Sequence, residues 1–251
     1  MQPVLLAQLS DLHICDEWEG VDPAAQVGRV VDAIRGLPNK VDAVLVTGDL
    51  TDDASEESCR RARELLERLD APLYVLPGNH DDRGRLREAF ELPGVGSEPV
   101  NYSANIGNIR LVAFDSIVPG RDPGAYSGDR LRWLDEELGH DDAPTLLALH
   151  HPPLPTGSPD WDAINLTAAE REAMAEVVVR HPQLRAIVGG HLHRTAVGSL
   201  GGCAVLSAPS ACLQVRPDFE ANRIEFVDPP GFALHVFRDG ELSSQVEMLA
   251  T

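Results

Sequence analysis

The 251-residue sequence has no apolar run close to the roughly 18 residues that span a bilayer, so no membrane association is expected. Its four cysteines (Cys15, Cys59, Cys203 and Cys212) include no CxxC pair, which favours reduced thiols and a cytoplasmic location. Basic stretches are also lacking, and the net charge is −19, from 40 acidic against 21 basic residues. A surface that grips long nucleic acid through its phosphates is therefore not expected.

The apolar residues are grouped in a pattern typical of an α/β protein. A hydrophobic fraction of 43% with 24% charged residues indicates a folded globule. Six near-continuous apolar runs predict strands covered on both faces, and four amphipathic stretches between them predict helices. One helix should begin with a capping box, TAAE, formed by Thr167 and Glu170. The predicted strands are 3–9, 42–47, 72–77, 109–115, 144–150 and 184–190, and the predicted helices are 24–36, 55–69, 128–139 and 167–180.

After residue 195 the sequence changes to short strand-like segments, with a tight turn predicted at RDGE (238–241). No linker precedes this part, so a second sheet stacked on the first is expected rather than a separate domain. We therefore predict one domain over 1–251, with a core over 1–195 and a strand-rich part, 196–251, that completes the second sheet.

Polar side chains follow five of the predicted strands, at the point where each strand ends. Open α/β sheets place their binding crevices outside these carboxyl ends, so the side chains should meet at one rim. Two histidines also follow a Gly-Gly pair, which would allow the tight backbone path that brings both rings into one small volume. The side chains are Asp11 and His13 in SDLH, Asp49 in TGDL, Asn79 and His80 in GNHD, His150 in HHPP, and His191 and His193 in GGHLH.

The number of candidate ligands exceeds what one ion uses. Such a set suits two divalent ions that share a bridging carboxylate, for which Asp49 on its short turn is the natural choice. Imidazole and oxygen ligands without thiolates favour Mn, Fe or Zn, and the sequence does not choose among them.

In this order, the segments DLH, GD, GNHD, HHPP and GGHLH resemble the calcineurin-like metallophosphoesterases. The stretches over 150–166 and 206–219 are similar to the bacterial class III cyclic nucleotide (cyclic AMP) phosphodiesterases. The resemblance implies an α/β fold, a four-layer α/β/β/α sandwich of two mixed sheets flanked by helices. It implies that Asp11, His13, Asp49 and His193 hold one metal, that Asp49, Asn79, His150 and His191 hold the second, and that His80 lies beside the bound phosphate.

The expected activity is a dinuclear metal-dependent phosphodiesterase that hydrolyses small phosphodiesters, first of all cyclic AMP to AMP. Two divalent ions, two carboxylates and a bridging hydroxide leave a formal charge of about +1, which complements a diester monoanion. Attack of the hydroxide on phosphorus would be in line, with His80 as the catalytic residue that assists the departing group. The substrate would contact His13, Asn79, His80 and His193.

Several alternatives stay open at this stage. A glycerophosphodiesterase, a phosphomonoesterase or a nuclease on the same scaffold is the main one, and a non-catalytic interaction module is a remote one. A homodimer through the strand-rich part is also open. His151 is expected to be structural, whereas Asp52, Asp81 and Asp115 either orient ligand histidines or are exposed loop residues, and Trp161 and Asn165 are candidates for the substrate pocket.

Overall fold

The structure, a computed structural model, describes residues 3–126, 128–219 and 224–250. Two large sheets, each with parallel and antiparallel pairs, confirm the expected fold class. In spatial order, the first sheet contains β13 (Glu241–Met248), β12 (Gly231–Arg238), β1 (Val4–Leu9), β2 (Ala43–Thr47) and β3 (Leu73–Leu76). The second contains β4 (Tyr102–Ile106), β5 (Ile109–Ala113), β6 (Thr145–Ala148), β7 (Leu184–Gly189), β9 (Cys203–Ser207) and β8 (Ala196–Leu200). A small two-stranded sheet pairs β10 (Gln214–Val215) with β11 (Phe226–Val227).

The helices lie on the outer faces of the two sheets. Helices α1, α2 and α3 share a core cluster with the first sheet, and α4 and α6 share another with the second. The capping box at Thr167 and Glu170 is present at the start of α6, as predicted. The helices are α1 (Pro23–Arg35), α2 (Glu56–Glu67), α3 (Arg83–Phe90), α4 (Gly128–Leu138), α5 (Pro159–Ala163) and α6 (Ala168–Val178).

The two-residue period of the strands explains why the apolar runs are almost continuous. In β1, Leu6 faces the cluster between the sheets, whereas Ala7 faces the cluster beneath the helices. In β5, Leu111 and Val112 divide in the same way between the inter-sheet and helix-facing clusters. Each of these strands is buried on both faces, which gives the four layers helix, sheet, sheet and helix.

The strand-rich part, 196–251, adds strands to both large sheets and not only to the second. Strands β8 and β9 join that sheet, but β12 and β13 join the first, where β12 pairs with β1. The expectation for this part is therefore corrected: its strands divide between the sheets, because the apolar edge of β1 takes β12 as an antiparallel partner. The RDGE turn connects β12 to β13, and Asp239 and Gly240 have φ angles of 53° and 86° there. The organisation into one domain stays a prediction.

Apart from the two-residue strand β10, three elements were not predicted. Helix α3 contains few apolar residues, α5 has five residues, and β4 is an edge strand with a half-exposed pattern, so none of them has a strong hydrophobic period. Across the described ranges, no helix combines the length and the apolar character needed to span a membrane.

Candidate metal centre

The seven predicted ligand residues meet at one rim, where strands of both sheets end. Residues that follow β1, β2 and β3 come from the first sheet, and residues that follow β6 and β7 come from the second. Six of the seven side chains are buried, and Asn79 is half-buried. A centre built in this way connects the two sheets at their carboxyl ends.

Five of these residues have a left-handed backbone, which non-glycine residues rarely adopt. Such strain persists where the surrounding structure fixes it, and it is common at functional sites. The φ angles are 54° at Asp11, 48° at His13, 50° at Asp49, 66° at His191 and 48° at His193.

The glycine pair before His191 has a different role from the one expected. Neither Gly189 nor Gly190 has a positive φ angle, so the tight turn lies on the histidines themselves. Gly190 is required for space, since a Cβ atom there would lie 1.7 Å from Ser10 Oγ and 2.9 Å from Asp11 Oδ2. The expectation that the glycines supply the turn is therefore corrected to one of close packing.

Asp11, His13, Asp49 and His193 form the first group, and their ligand atoms lie within 4.8 Å of one another. The Nε2 atoms of His13 and His193 are 3.0 Å apart. His193 Nδ1 donates to the carbonyl of Leu213 over 2.9 Å, and His13 Nδ1 donates to Asp52 Oδ1 over 3.1 Å. Each Nε2 atom therefore presents a lone pair to the other, an arrangement that a bound cation satisfies.

The second group is centred on Asn79. Its Oδ1 atom lies 3.0 Å from His150 Nε2 and 3.1 Å from His191 Nδ1. Main-chain carbonyls fix both rings, because His150 Nδ1 donates to Thr47 over 2.7 Å and His191 Nε2 donates to Ile164 over 2.9 Å. The atoms that face Asn79 are thus acceptors when the rings are neutral.

Asp49 lies between the two groups. Its Oδ2 atom is 3.3 Å from His150 Nε2 and 3.7 Å from His13 Nε2, and its Oδ1 atom accepts the main-chain N–H of His80 over 2.9 Å. A carboxylate in this position can bridge two ions. The imidazole, carboxylate and amide donors fit two divalent transition-metal ions without thiolate ligands.

Burial keeps most of the proposed histidine ligands in the neutral form, which is the form that binds a metal. Burial lowers the pKa values of His13 and His191 and lowers that of His193 to about 4. Burial also lowers the pKa of His150, but the charge of Asp49 outweighs it and raises the pKa to about 9. A cation that binds to His150 therefore displaces a proton.

His80 is half-exposed and lies beside His13, with ring centroids 4.8 Å apart. Its Nδ1 atom is 3.2 Å from Asp52 Oδ1, the same oxygen that accepts from His13. Burial lowers the pKa of His80, but the hydrogen bond to Asp52 and the charge of Asp49 raise it to about 10. Asp52 thus orients both His13 and His80. Of the two alternatives for Asp52, a carboxylate that orients ligand histidines or an exposed loop residue, the first is the one that the structure has.

Asp81 and Asp115 are buried and hold other parts of the rim in place. Asp81 accepts main-chain N–H groups from Gly78, Leu50 and Thr51 over 2.9 to 3.1 Å and so fixes two of the ligand loops. Asp115 forms a two-pronged ion pair with Arg83, at 2.7 and 2.9 Å. Neither carboxylate orients a ligand histidine.

His151 and Asn165 have structural contacts. His151 is fully buried, and its two ring nitrogens lie 2.8 Å from Ser116 Oγ and from the carbonyl of Asp122. Asn165 Nδ2 donates to the carbonyls of Pro152 and Leu154, both over 3.1 Å, and therefore holds the loop after His151 together.

Trp18 is a neighbour of the centre that sequence reasoning missed. Its ring stacks on His13 at 4.1 Å with an interplanar angle of 4°, and Phe226 contacts it edge-on at 4.8 Å. No feature of the surrounding sequence, CDEWEG, indicates this contact.

Comparison with known proteins agrees with this geometry. The family model of calcineurin-like phosphoesterases matches residues 4–195. The chain is 35% identical to the 3′,5′-cyclic adenosine monophosphate phosphodiesterase CpdA of Pseudomonas aeruginosa, over 97% of this chain and 89% of the relative. It is 33% identical to a probable glycerophosphodiester phosphodiesterase GpdQ of Arcobacter nitrofigilis, over 94% of this chain and 89% of the relative. A dimetal phosphatase from Danio rerio has a similar fold, with a TM-score of 0.70, 18% identity and coverage of 96% of this chain and 98% of that one.

Proposed function

The chain belongs to the calcineurin-like phosphoesterase family, and on this premise we propose that its substrates are 3′,5′-cyclic nucleotides, cyclic AMP first. The protein is a metal-dependent phosphodiester hydrolase. A glycerophosphodiester is the second candidate substrate, because relatives with that name are about as similar to this chain.

The observation that carries the metal-dependent activity is the convergence of imidazole nitrogens of His13 and His150 on Asp49 from both sides. It supports a first metal on Asp11, His13, Asp49 and His193, and a second on Asp49, Asn79, His150 and His191. Because main-chain carbonyls fix three of the four rings, the donors keep their positions without the ions.

When bound, two divalent ions stabilise charge on the phosphoryl oxygens and bring water to a pKa of about 7. Hydrolysis would form a bond from a water oxygen to phosphorus, in line with the ester oxygen, as the bond from phosphorus to that ester oxygen breaks. His80, held by Asp52, then donates a proton to the departing alkoxide or a hydrogen bond to a phosphoryl oxygen. Four residues form the rim that the phosphate group contacts: His13, Asn79, His80 and His193.

One arginine that follows the GNHD segment is not available to hold a phosphate monoester. A phosphate monoester is a dianion and is commonly held by additional arginine forks. Arg83, which the sequence places near the centre, is 6% exposed and donates to Asp115 and to the carbonyl of Ile117. It is therefore committed to the protein interior and does not add charge to the site.

The test is a parallel assay of the manganese-loaded enzyme on cyclic AMP, cyclic GMP, a glycerophosphodiester and a plain monoester, compared by kcat/KM. We expect the highest value for a cyclic nucleotide. A monoester preference of about tenfold, equal to about 1.4 kcal/mol in transition-state binding, would overturn the proposal.

Two further parts of the proposal concern assembly and location. Four free cysteines support a cytoplasmic protein. The outer strands β8 and β13 both belong to the strand-rich part and offer edges for a homodimer. The molecular mass in solution tests the dimer, and a monomer at micromolar concentration would refute it.

A further inference from the structure

A cavity of about 490 Å³ opens beside the candidate metal centre. Leu192 and Arg194 line it, and they alternate along the chain with His191 and His193. The cavity therefore begins where the phosphate group would end, and its volume is in the range of small-molecule sites. The position suits the ester substituent of a substrate whose phosphorus lies at the centre.

One wall of the cavity is aromatic. Trp161, on the short helix α5, is half-exposed, and its ring centroid lies 5.6 Å from that of His191 and 6.2 Å from that of His193. It thus stands at the mouth, over the two histidines assigned to different ions. Phe219, which is 59% exposed, also lines the cavity. Exposed aromatic faces beside a polar centre are suited to stacking on a planar group.

The same cavity contains the guanidinium of Arg194. Arg194 is half-buried, and its side chain has no hydrogen bond or ion pair with any residue in the described ranges. Burial lowers its pKa, and no carboxylate offsets this effect. In a protein with a net charge of −19, such a cation stands out, because acidic partners are abundant elsewhere on the surface. Its donors are free to bind a ligand.

We propose that this cavity is the subsite for a purine base, with Trp161 as the stacking face and Arg194 as the donor to acceptors on the base edge. One N–H of Arg194 can donate to N7 of either purine, and in guanine a second N–H can donate to O6, whereas a pyrimidine lacks N7. The unpaired charge of Arg194 also repels cationic alcohol groups, such as the choline of glycerophosphocholine. This subsite therefore favours cyclic nucleotides over glycerophosphodiesters with a cationic alcohol group. The inference rests on the proposed phosphodiesterase function.

The experiment compares variants on substrates with and without a base. The variants are Trp161→Ala, Trp161→Phe, Arg194→Ala and, as a matched control for the loss of one positive charge, Arg216→Ala. Arg216 is exposed and pairs with Glu225 at 3.6 Å. The substrates are cyclic AMP, cyclic CMP, glycerophosphocholine and dimethyl phosphate, a small diester without a base or any other ring. Calorimetric binding of 5′-AMP gives a readout that is independent of turnover, and thermal unfolding confirms the fold of each variant.

We expect Trp161→Ala to lower kcat/KM for cyclic AMP about 5- to 150-fold and to weaken 5′-AMP binding in parallel. Trp161→Phe should keep most of both values, since it keeps a stacking face. Arg194→Ala should lower kcat/KM for cyclic AMP about tenfold or more. The same variant should lower kcat/KM for cyclic CMP less, and it should raise kcat/KM for glycerophosphocholine. The kcat/KM for dimethyl phosphate should be unchanged in all these variants. Arg216→Ala should leave kcat/KM unchanged for every substrate.

Two results separate failure of the subsite from failure of the function. If the wild type hydrolyses no diester, the proposed function is wrong. If it hydrolyses diesters but Trp161→Ala and Arg194→Ala affect dimethyl phosphate as strongly as cyclic AMP, or affect neither, the subsite is overturned and the phosphodiesterase activity stands.

Discussion

Replacement of Gly190 by alanine tests whether close packing, rather than backbone freedom, explains the glycine before the paired histidines. The new Cβ atom would lie 1.7 Å from Ser10 Oγ and 2.9 Å from Asp11 Oδ2. Ser10 is fully buried and donates to the carbonyl of Thr47 over 3.2 Å, so a rotation of its hydroxyl away from the new Cβ atom would break this hydrogen bond. Asp11 accepts the N–H of His191 at 3.0 and 3.1 Å, so any shift reaches two proposed ligands.

The expected magnitude follows from these contacts. Overpacking of a well-filled interior costs about 1–3 kcal/mol, and the lost hydrogen bond of Ser10 adds about 1 kcal/mol. We therefore expect the free energy of unfolding to fall by about 2–4 kcal/mol. Displacement of Asp11 should also weaken metal binding by about 10- to 100-fold, as is typical when groups that orient ligands are disturbed.

The assay is urea unfolding with and without manganese, together with a metal titration. The matched control is Gly128→Ala, because a Cβ atom at Gly128 meets nothing within 4 Å. Ser10→Gly combined with Gly190→Ala removes the 1.7 Å contact and should recover at least 1 kcal/mol of the loss. Equal stability of Gly190→Ala and Gly128→Ala would refute the packing explanation.

Four other predictions concern single residues. His191→Ala and His193→Ala should each lose a different ion in metal analysis, and loss of the same ion from both would refute the assignment. His80→Ala should keep two ions while kcat falls by about 10²- to 10⁴-fold, and unchanged turnover would exclude His80 from catalysis. Manganese affinity should fall about tenfold per pH unit below about 9, since binding displaces the proton of His150, and calorimetry in two buffers would detect that proton. Burial lowers the pKa of His235 from 6.5 to about 4, so the unfolded chain takes up this proton at a higher pH than the folded protein does. As the pH falls from 6.5 to 4, this residue alone should therefore remove about 3 kcal/mol from the unfolding free energy of the metal-free protein, and urea unfolding of His235→Gln should show a smaller pH dependence than that of the wild type.

The positions of the proposed ligands could be predicted because each follows a buried strand directly. Near-continuous apolar runs ended by Asp, Asn or His placed Asp11, Asp49, Asn79 and His150 at one rim, and the structure brings them together there. The capping box at Thr167 was predictable for a similar reason, since it depends on residues three positions apart.

The groups that orient the ligands could not be predicted, because their contacts are made by the main chain or by distant residues. The carbonyl of Leu213 fixes His193, and any residue type at position 213 would supply the same carbonyl. The left-handed backbone of Asp11 and His193 has no sequence marker either, since glycine is the residue that usually indicates it. The stacking of Trp18 on His13 likewise depends on how a loop folds back over the centre.

The pairing of β1 with β12 has a consequence for the time at which activity appears. Strand β1 leads to Asp11 and His13 near the start of the chain, but its antiparallel neighbour is made of residues 231–238, near the other end. Contacts of such high sequence separation form slowly, because loop closure must precede them. During translation, β1 lacks this neighbour until β12 has left the ribosome, so a nascent chain should remain inactive until residues 231–238 have emerged.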